Sequence, residues 1–260
     1  MTRQPVLLIS HGSPMRALEG GAWGEALRNQ GVSLSPNGIL MVSAHWEAEG
    51  PARITAAPEP GLLYDFYGFP EALYGVRYPV QGSPKWAQRV EAHLAGAGIA
   101  SVLDVHRPLD HGAWAPLLHL FPRADQAVLQ LSLPLDRTPA RLYAMGQALA
   151  PLREQGLLII GSGGIVHNLR RLRWREPDAA EPDPWAAHFD AWAAERLRAG
   201  DTDALLRWRE ESPDPHAAHP STEHWDPLFV ALGAAGAGTP RWIYEGWEMG
   251  NLNMRSAIWD

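Results

Sequence analysis

Val6-Leu7-Leu8-Ile9-Ser10-His11 is an apolar run that ends in a histidine. Its uninterrupted apolar character, followed at once by a glycine, predicts a buried strand. The same design recurs twice, since Ile39–Ser43 leads to His45, and Leu157–Ile160 leads through a glycine-rich turn to His167. Each of three predicted strands therefore has a histidine at or just beyond its carboxyl end.

The rest of the chain alternates between strand-like and helix-like patterns. Two further apolar runs, Ala127–Leu133 and Trp242–Tyr244, predict strands. Amphipathic segments with capping residues and terminal glycines predict four helices, over Pro84–Ala97, Thr138–Gln155, Trp185–Ala199 and Glu223–Leu232. This alternation predicts an α/β fold in which helices flank a central, largely parallel sheet. The sequence has no internal repeat and no linker, so we expect a single domain over residues 1–260.

The histidines at the strand ends predict a ligand-binding site. Ligands of open α/β sheets bind at the carboxyl edge of the strands. A lone histidine there is more often a structural residue that hydrogen-bonds to the backbone. Three at equivalent positions, with glycines near two of them, favour a site, because glycine lets backbone and ligand approach closely. Imidazole binds Zn, Fe, Cu and Ni well, so His11, His45 and His167 are candidates for a metal centre.

Two more histidines are weaker candidates on sequence pattern alone. His224 falls at the predicted start of the last helix, where a surface histidine is as good an interpretation as a site residue. His111 follows Asp110 within Arg107–Trp114, a segment that reads as a short turn. The other six histidines lie in helical or loop patterns without a comparable signal.

Composition excludes several classes of function. The chain has no cysteine, which rules out disulfides, thiolate metal sites and a thiol nucleophile. Its 22 basic and 29 acidic residues give a formal charge of −7, which argues against a nucleic-acid or anionic-membrane surface. Neither a signal peptide nor an apolar segment of membrane-spanning length is evident, so we expect a soluble cytoplasmic protein.

Seven short motifs occur along the chain in the order typical of one enzyme family. They are His11-Gly12-Ser13-Pro14-Met15, Ser43-Ala44-His45-Trp46, Tyr64-Asp65-Phe66-Tyr67-Gly68-Phe69-Pro70, Asp110-His111-Gly112-Ala113-Trp114, Val166-His167-Asn168-Leu169, Glu223-His224 and Glu245-Gly246-Trp247-Glu248-Met249-Gly250. The ordered set spans nearly the whole chain. It resembles the class III extradiol ring-cleavage dioxygenases, and among them the 4,5-DOPA extradiol dioxygenase branch.

The resemblance implies a role for each histidine of the set. His11 and His45 match the two histidine ligands of the superfamily, and His224 stands where protocatechuate-type enzymes have a carboxylate ligand. His167 matches the acid/base catalyst and, in an all-histidine pocket, is also a candidate ligand. His111 matches a second active-site histidine near the substrate. One divalent metal ion per chain is implied, with Fe(II) expected for catalysis and Zn(II) compatible with the same imidazole donors.

The implied reaction opens the ring of a catechol such as L-DOPA with O₂ and gives a muconic semialdehyde-type product. Catechol must lose protons to chelate a metal, which explains the need for a histidine that titrates near neutral pH. Two alternatives stay open at this stage, namely a Zn-dependent hydrolase on the same scaffold and a non-catalytic metal-binding protein. Turnover of catechols with Fe(II) in air separates the dioxygenase from both.

Overall fold

An eight-stranded sheet organises the chain in the computed structural model, which describes residues 2–175 and 181–260. Its strands are β1 (Val6–Ser10), β2 (Gly38–Ala48), β3 (Ala52–Thr55), β4 (Ser101–Asp104), β5 (Val128–Pro134), β6 (Leu157–Gly163), β7 (Arg241–Tyr244) and β10 (Ser256–Trp259). A separate hairpin pairs β8 (Trp247–Glu248) with β9 (Leu252–Asn253). The order across the sheet is β4-β3-β5-β2-β6-β1-β10-β7.

The four central strands of the sheet, β5-β2-β6-β1, all run parallel. Antiparallel pairing occurs towards the edges, between β3 and β5, β1 and β10, and β10 and β7. The structure therefore confirms the predicted α/β fold with a mostly parallel central sheet. Because the central strands are parallel, their carboxyl ends lie at one edge.

Helices cover both faces of the sheet. They are α1 (Gly21–Val32), α2 (Glu71–Tyr74), α3 (Pro84–Gly96), α4 (His111–Leu120), α5 (Pro139–Leu149), α6 (Pro184–Ala199), α7 (Thr202–Leu206), α8 (Trp208–Glu211), α9 (Pro215–Ala218) and α10 (Pro227–Ala235). Within the described ranges, no helix combines the length and the apolar character needed to cross a membrane.

The two faces of the sheet belong to different core clusters. In β1, Val6 and Leu8 pack with α5 and α10, whereas Leu7 and Ile9 pack with α1 and α4. This division follows from the strand geometry, because successive side chains point to opposite faces. All five residues of β1 are buried, which explains why the strand lacks polar alternation in the sequence.

Several predicted element boundaries were wrong. The helix expected over Thr138–Gln155 ends at Leu149 and continues as a 3₁₀ segment, Ala150–Gln155, because Pro151 cannot donate a helical hydrogen bond. The helix expected over Glu223–Leu232 begins only at Pro227 and runs to Ala235, so Gly233 is interior. Arg107–Trp114 is not simply a turn, because α4 begins at His111.

Candidate metal centre

The carboxyl ends of the central strands bring His11 and His45 together. His11 directly follows β1, and its backbone N–H bonds to Gly163 O of β6 at 3.1 Å, which extends the parallel pairing by one residue. His45 lies within β2, where the register against β5 shifts between Val42 and Glu47. Such irregularities redirect side chains and often occur beside active sites. The result is a distance of 3.0 Å between His45 Nε2 and His11 Nε2.

His224 completes a compact group of three imidazole rings. Its ring centroid lies 5.3 Å from that of His11 and 4.9 Å from that of His45, and those two are 4.9 Å apart. His224 is only 6% exposed and precedes α10 by three residues. The interpretation of His224 as a surface histidine is therefore wrong.

A glycine explains how His224 comes so close to the sheet. His224 O accepts a hydrogen bond from Gly164 N at 2.8 Å. A Cβ atom on the neighbouring Gly163 would lie 2.1 Å from the same oxygen, so only glycine fits at that position of β6. The glycines at the end of β6 thus allow the segment that carries His224 to lie directly against the strand.

His167 joins the group through His224. The two rings stack with their centroids 3.4 Å apart and an interplanar angle of 6°. The backbone N–H of His167 donates to Ala218 O at 3.1 Å, which holds the turn after β6 in place. Among the described residues, the ligand atoms of His167, Glu223 and His224 lie within 4.8 Å of one another.

His111 stands at the first position of α4, with its ring centroid 4.0 Å from that of His45. The ligand atoms of His11, His45 and His111 also lie within 4.8 Å of one another. The ring of His111 is bonded to Asp65, which the sequence analysis did not single out as a site residue. Asp110, by contrast, accepts a hydrogen bond from Ser43 Oγ at 2.7 Å.

Hydrogen bonds fix which ring nitrogens carry protons. Ser162 Oγ donates its only proton to Gly112 O at 2.5 Å, so its contact of 3.0 Å with His11 Nδ1 requires an N–H on that atom. Nε2 of His11 then holds a lone pair. His224 Nδ1 bonds to Glu223 Oε1 at 3.0 Å, and among the described residues nothing hydrogen-bonds to its buried Nε2. Nitrogen lone pairs that converge in this way fit a divalent metal ion.

Burial keeps these imidazoles neutral. It is the main cause that lowers the pKa of His11, His45 and His224 well below the usual histidine value, and the neighbouring histidines lower each further. Burial also lowers the pKa of His167 to about 4, with His111 contributing. Neutral imidazole is the form that binds metals, so the group is ready to accept an ion without first losing protons.

A cavity of about 510 Å³ opens directly onto the histidines. Its walls are mostly apolar and come from three chain segments outside the main sheet, with contributions from Phe66, Phe69, Leu169, Leu172, Trp174, Met249 and Leu252. Among the described residues, no lysine or arginine lines the cavity. It has the size and character of a pocket for a small aromatic molecule.

A buried arginine joins two segments that carry site histidines. Arg137 bonds to Glu47 Oε1 at 2.6 Å, two residues after His45, and to Asp226 Oδ2 at 2.5 Å, two residues after His224. Its side chain is only 8% exposed. These ion pairs fix the end of β2 relative to the segment before α10, and therefore His45 relative to His224.

Residues 5–256 match the family model described as the catalytic LigB subunit of aromatic ring-opening dioxygenase. A Beta vulgaris protein named 4,5-DOPA dioxygenase extradiol is 39% identical, covering 95% of this chain and 93% of its own. An Escherichia coli K12 protein of the same name is 37% identical, covering 98% and 94%. The crystal structure of an uncharacterized protein from Escherichia coli K12 is similar with a TM-score of 0.84 at 33% identity, covering 99% of this chain and 100% of that one.

Proposed function

The chain belongs to the LigB family of aromatic ring-opening dioxygenases, and we propose that it cleaves a small catechol such as L-DOPA with O₂ to a muconic semialdehyde-type product. Its similarity to two proteins named 4,5-DOPA dioxygenase extradiol over most of its length identifies it as an extradiol ring-cleavage dioxygenase. We take residues 1–260 as one catalytic domain. The choice of L-DOPA as a model substrate comes from the names of these relatives.

We assign the metal ligands to His11, His45 and His224, with His167 as a candidate fourth. The support is the convergence of their rings, together with the lone pairs that Ser162 and Glu223 leave on Nε2 of His11 and His224. Dioxygenases of this family are metal-dependent, and a bound Fe(II) ion would supply the redox chemistry that joins a catechol and O₂. Imidazole donors suit Zn(II) as well, so we expect Zn(II) to compete for the same site.

His167 and His111 are the proposed proton carriers. A catechol has to lose hydroxyl protons before ring opening, and a neutral imidazole accepts one without first being deprotonated. His167 is neutral because burial and His111 lower its pKa to about 4. The same shift makes it a weak base, so the diol would have to be acidified by a bound metal ion for the transfer to occur. His111 bonds to Asp65 through Nδ1, which leaves Nε2 as the ring nitrogen available to the substrate.

The apolar walls of the cavity hold the ring and exclude water. Phe66 and Phe69 pack edge to face with centroids 5.4 Å apart, and the ring of Phe66 also lies 5.7 Å from that of His111. These walls would hold a flat aromatic substrate in a fixed orientation relative to the histidines. A fixed orientation raises the rate of a reaction that needs substrate, O₂ and catalytic groups in one place. Exclusion of water protects the reactive intermediates from side reactions.

One observation carries the proposal, namely the close approach of the imidazoles of His11, His45 and His224 at the floor of an apolar cavity in a chain of this family. The test is a panel of catechols supplied to Fe(II)-reconstituted protein in air. We expect O₂ uptake and a yellow ring-opened product with at least one of them. Absence of uptake across the panel at full Fe occupancy, with hydrolysis of model esters by the Zn form, would replace this proposal with the hydrolase.

A further inference from the structure

Asp65 makes two hydrogen bonds to one residue of the site. Its Oδ1 accepts from the Nδ1–H of His111 at 2.9 Å and from the backbone N–H of the same residue at 3.0 Å. The carboxylate is mostly buried, with 17% of its side chain exposed, and Asp65 lines the cavity. A side chain from a loop that is distant in sequence thus hydrogen-bonds to both the ring and the backbone of His111.

These two bonds define the state of the His111 ring. A carboxylate can only accept, so Nδ1 carries a proton, and in the neutral ring Nε2 is the nitrogen with the lone pair. The backbone N–H holds the accepting oxygen in place, so the ring is oriented relative to the start of α4. We propose that Asp65 is a positioning residue for ring opening, which fixes the tautomer and the orientation of His111 so that its Nε2 faces the diol of the bound catechol. The proposal rests on the function proposed above.

Capping of the helix explains only one of the two bonds, because the backbone N–H of His111 lies in the first turn of α4, where N–H groups have no partner within the helix. Asp110 is the N-cap of α4 and accepts from Ala113 N at 3.2 Å. Asp110 is itself held by Ser43 and Gln130. Asp65 lies 46 residues from His111 along the chain, and its ring contact adds nothing to the backbone hydrogen bonds of the helix.

Asp65 makes its hydrogen bonds to His111, and its contact with the proposed ligand His45 is electrostatic only. Its second oxygen, Oδ2, lies 3.6 Å from His45 Nδ1, which is longer than a hydrogen bond. Removal of the carboxylate should therefore leave the ion bound by His11, His45 and His224. Outer partners of metal-ligating histidines typically contribute 10–100-fold to metal affinity or activity, and we expect an effect of similar size on activity for His111.

Two substitutions separate the hydrogen bond from the charge. Asp65→Asn keeps an accepting oxygen at the position of Oδ1, and the two N–H groups of His111 hold the amide oxygen there. Asp65→Ala removes the acceptor. We expect Asp65→Ala to lower kcat/KM by about 10–100-fold with the metal content unchanged. We expect Asp65→Asn to recover most of that loss. Equal losses in the two variants would overturn the positioning role.

A double substitution tests whether Asp65 acts through His111. On a His111→Ala background, Asp65→Ala should change kcat/KM by less than about threefold, because coupled residues are not additive. A double variant whose loss of kcat/KM equals the product of the two single-variant losses would overturn the proposal. So would an Asp65→Ala protein whose thermal unfolding midpoint and metal content fall along with turnover, since that pattern describes a structural residue.

Binding of 4-nitrocatechol without O₂ provides a readout that does not depend on turnover. Its absorption spectrum changes on deprotonation, so the spectrum reports proton loss from the bound diol and the Kd reports the strength of binding, and the comparison of variants assigns either effect to Asp65. The Asp65→Ala protein should bind it more weakly than wild type, and Asp65→Asn should bind it nearly as well. Identical binding by all three proteins would contradict the proposal. If wild type binds this probe but turns over no catechol, the proposed function has failed while the role of Asp65 in orienting His111 is still decided by the comparison.

Discussion

Nε2 of His45 lies 3.0 Å from Nε2 of His11. Ser162 fixes the His11 proton on Nδ1, so the facing nitrogen carries a lone pair. Two ring nitrogens at this separation need either a shared proton or a shared cation between them. Ligands at about 2.1 Å from one ion fall within this range of separations. The pair is therefore the natural starting point for tests of the metal centre.

The roles of His167 and His11 should separate in a comparison of metal content and turnover. His167→Ala should retain the metal, because His11, His45 and His224 remain, while turnover falls by about 10²–10⁴, the usual contribution of a positioned acid/base. His11→Ala should lose much of the metal along with the activity. Both properties are to be measured on the same samples. If His167→Ala is metal-free while His224→Ala keeps its ion, the two roles have been exchanged.

The close approach of β6 to the His224 segment predicts a contrast between two adjacent glycines. Gly163→Ala would place a Cβ 2.1 Å from His224 O, and overpacking of this kind costs typically about 1–3 kcal/mol of the free energy of unfolding. Gly164→Ala is the matched control, since the nearest atom to its Cβ would lie 3.6 Å away. Denaturant unfolding and metal titration should show weaker stability and metal binding for Gly163→Ala alone. Two variants with the same properties would contradict this explanation of the glycine-rich turn.

Metal-free protein should lose stability as the pH falls below about 6.5. Burial is the main cause that lowers the pKa values of five histidines in the folded state. The pKa is about 4 for His167 and about 3 for His219, and it lies well below the usual histidine value for His11, His45 and His224. Between those values and about 6.5 the unfolded chain binds more protons than the folded one, so stability rises with pH in that window.

Substitution of His219 isolates the contribution of one histidine to this pH dependence of stability. Its ring is fully buried and bonds to Ile165 O at 2.8 Å, which Gln can also do. His219→Gln should make the pH dependence shallower by about 1.4 kcal/mol per pH unit inside the window. Urea unfolding of chelator-treated protein at several pH values measures both slopes. A wild-type stability that is flat or rises towards acid pH would be inconsistent with neutral buried histidines.

The lining of the cavity predicts a preference among ring substituents. With no lysine or arginine among the described lining residues, a carboxylate attached directly to the ring would lose its hydration without gaining a cationic partner. We expect kcat/KM for protocatechuate to be at least about tenfold below that for 4-methylcatechol, since an unpaired buried charge costs more than about 1.4 kcal/mol. Equal or better turnover of protocatechuate would show that a cation reaches the pocket.

The sequence predicted the parts of the fold that have a strong local pattern. Strands β1, β2 and β6 are apolar runs that end near histidines, so their alignment at one sheet edge followed from the parallel topology. Helix α4 was missed because Gly112 and Pro116 lie inside it and its residues are nearly all buried, which removes the amphipathic pattern. Helix α1, with glycines in its interior, was missed for a similar reason.

The site was predicted less completely than the sheet. Neither the stack of His167 on His224 nor the contact of Asp65 with His111 has a local signature, because each joins segments far apart in sequence. Asp65 lies in a loop rich in glycine and aromatic residues, where a single carboxylate carries no periodic signal. The motif that contains it was part of the family resemblance, which was the one available indication of a role.

Simultaneous measurement of O₂ and L-DOPA consumption by the Fe(II)-loaded protein tests the central claim most directly. The His45→Ala protein, prepared in the same way, is the control for iron that is not bound at the histidines. We expect wild type to consume one O₂ for each L-DOPA as a yellow ring-opened product accumulates, and the control to consume neither above background. Iron bound in full at these histidines without consumption of O₂ alongside L-DOPA or any other catechol of the panel would contradict the account.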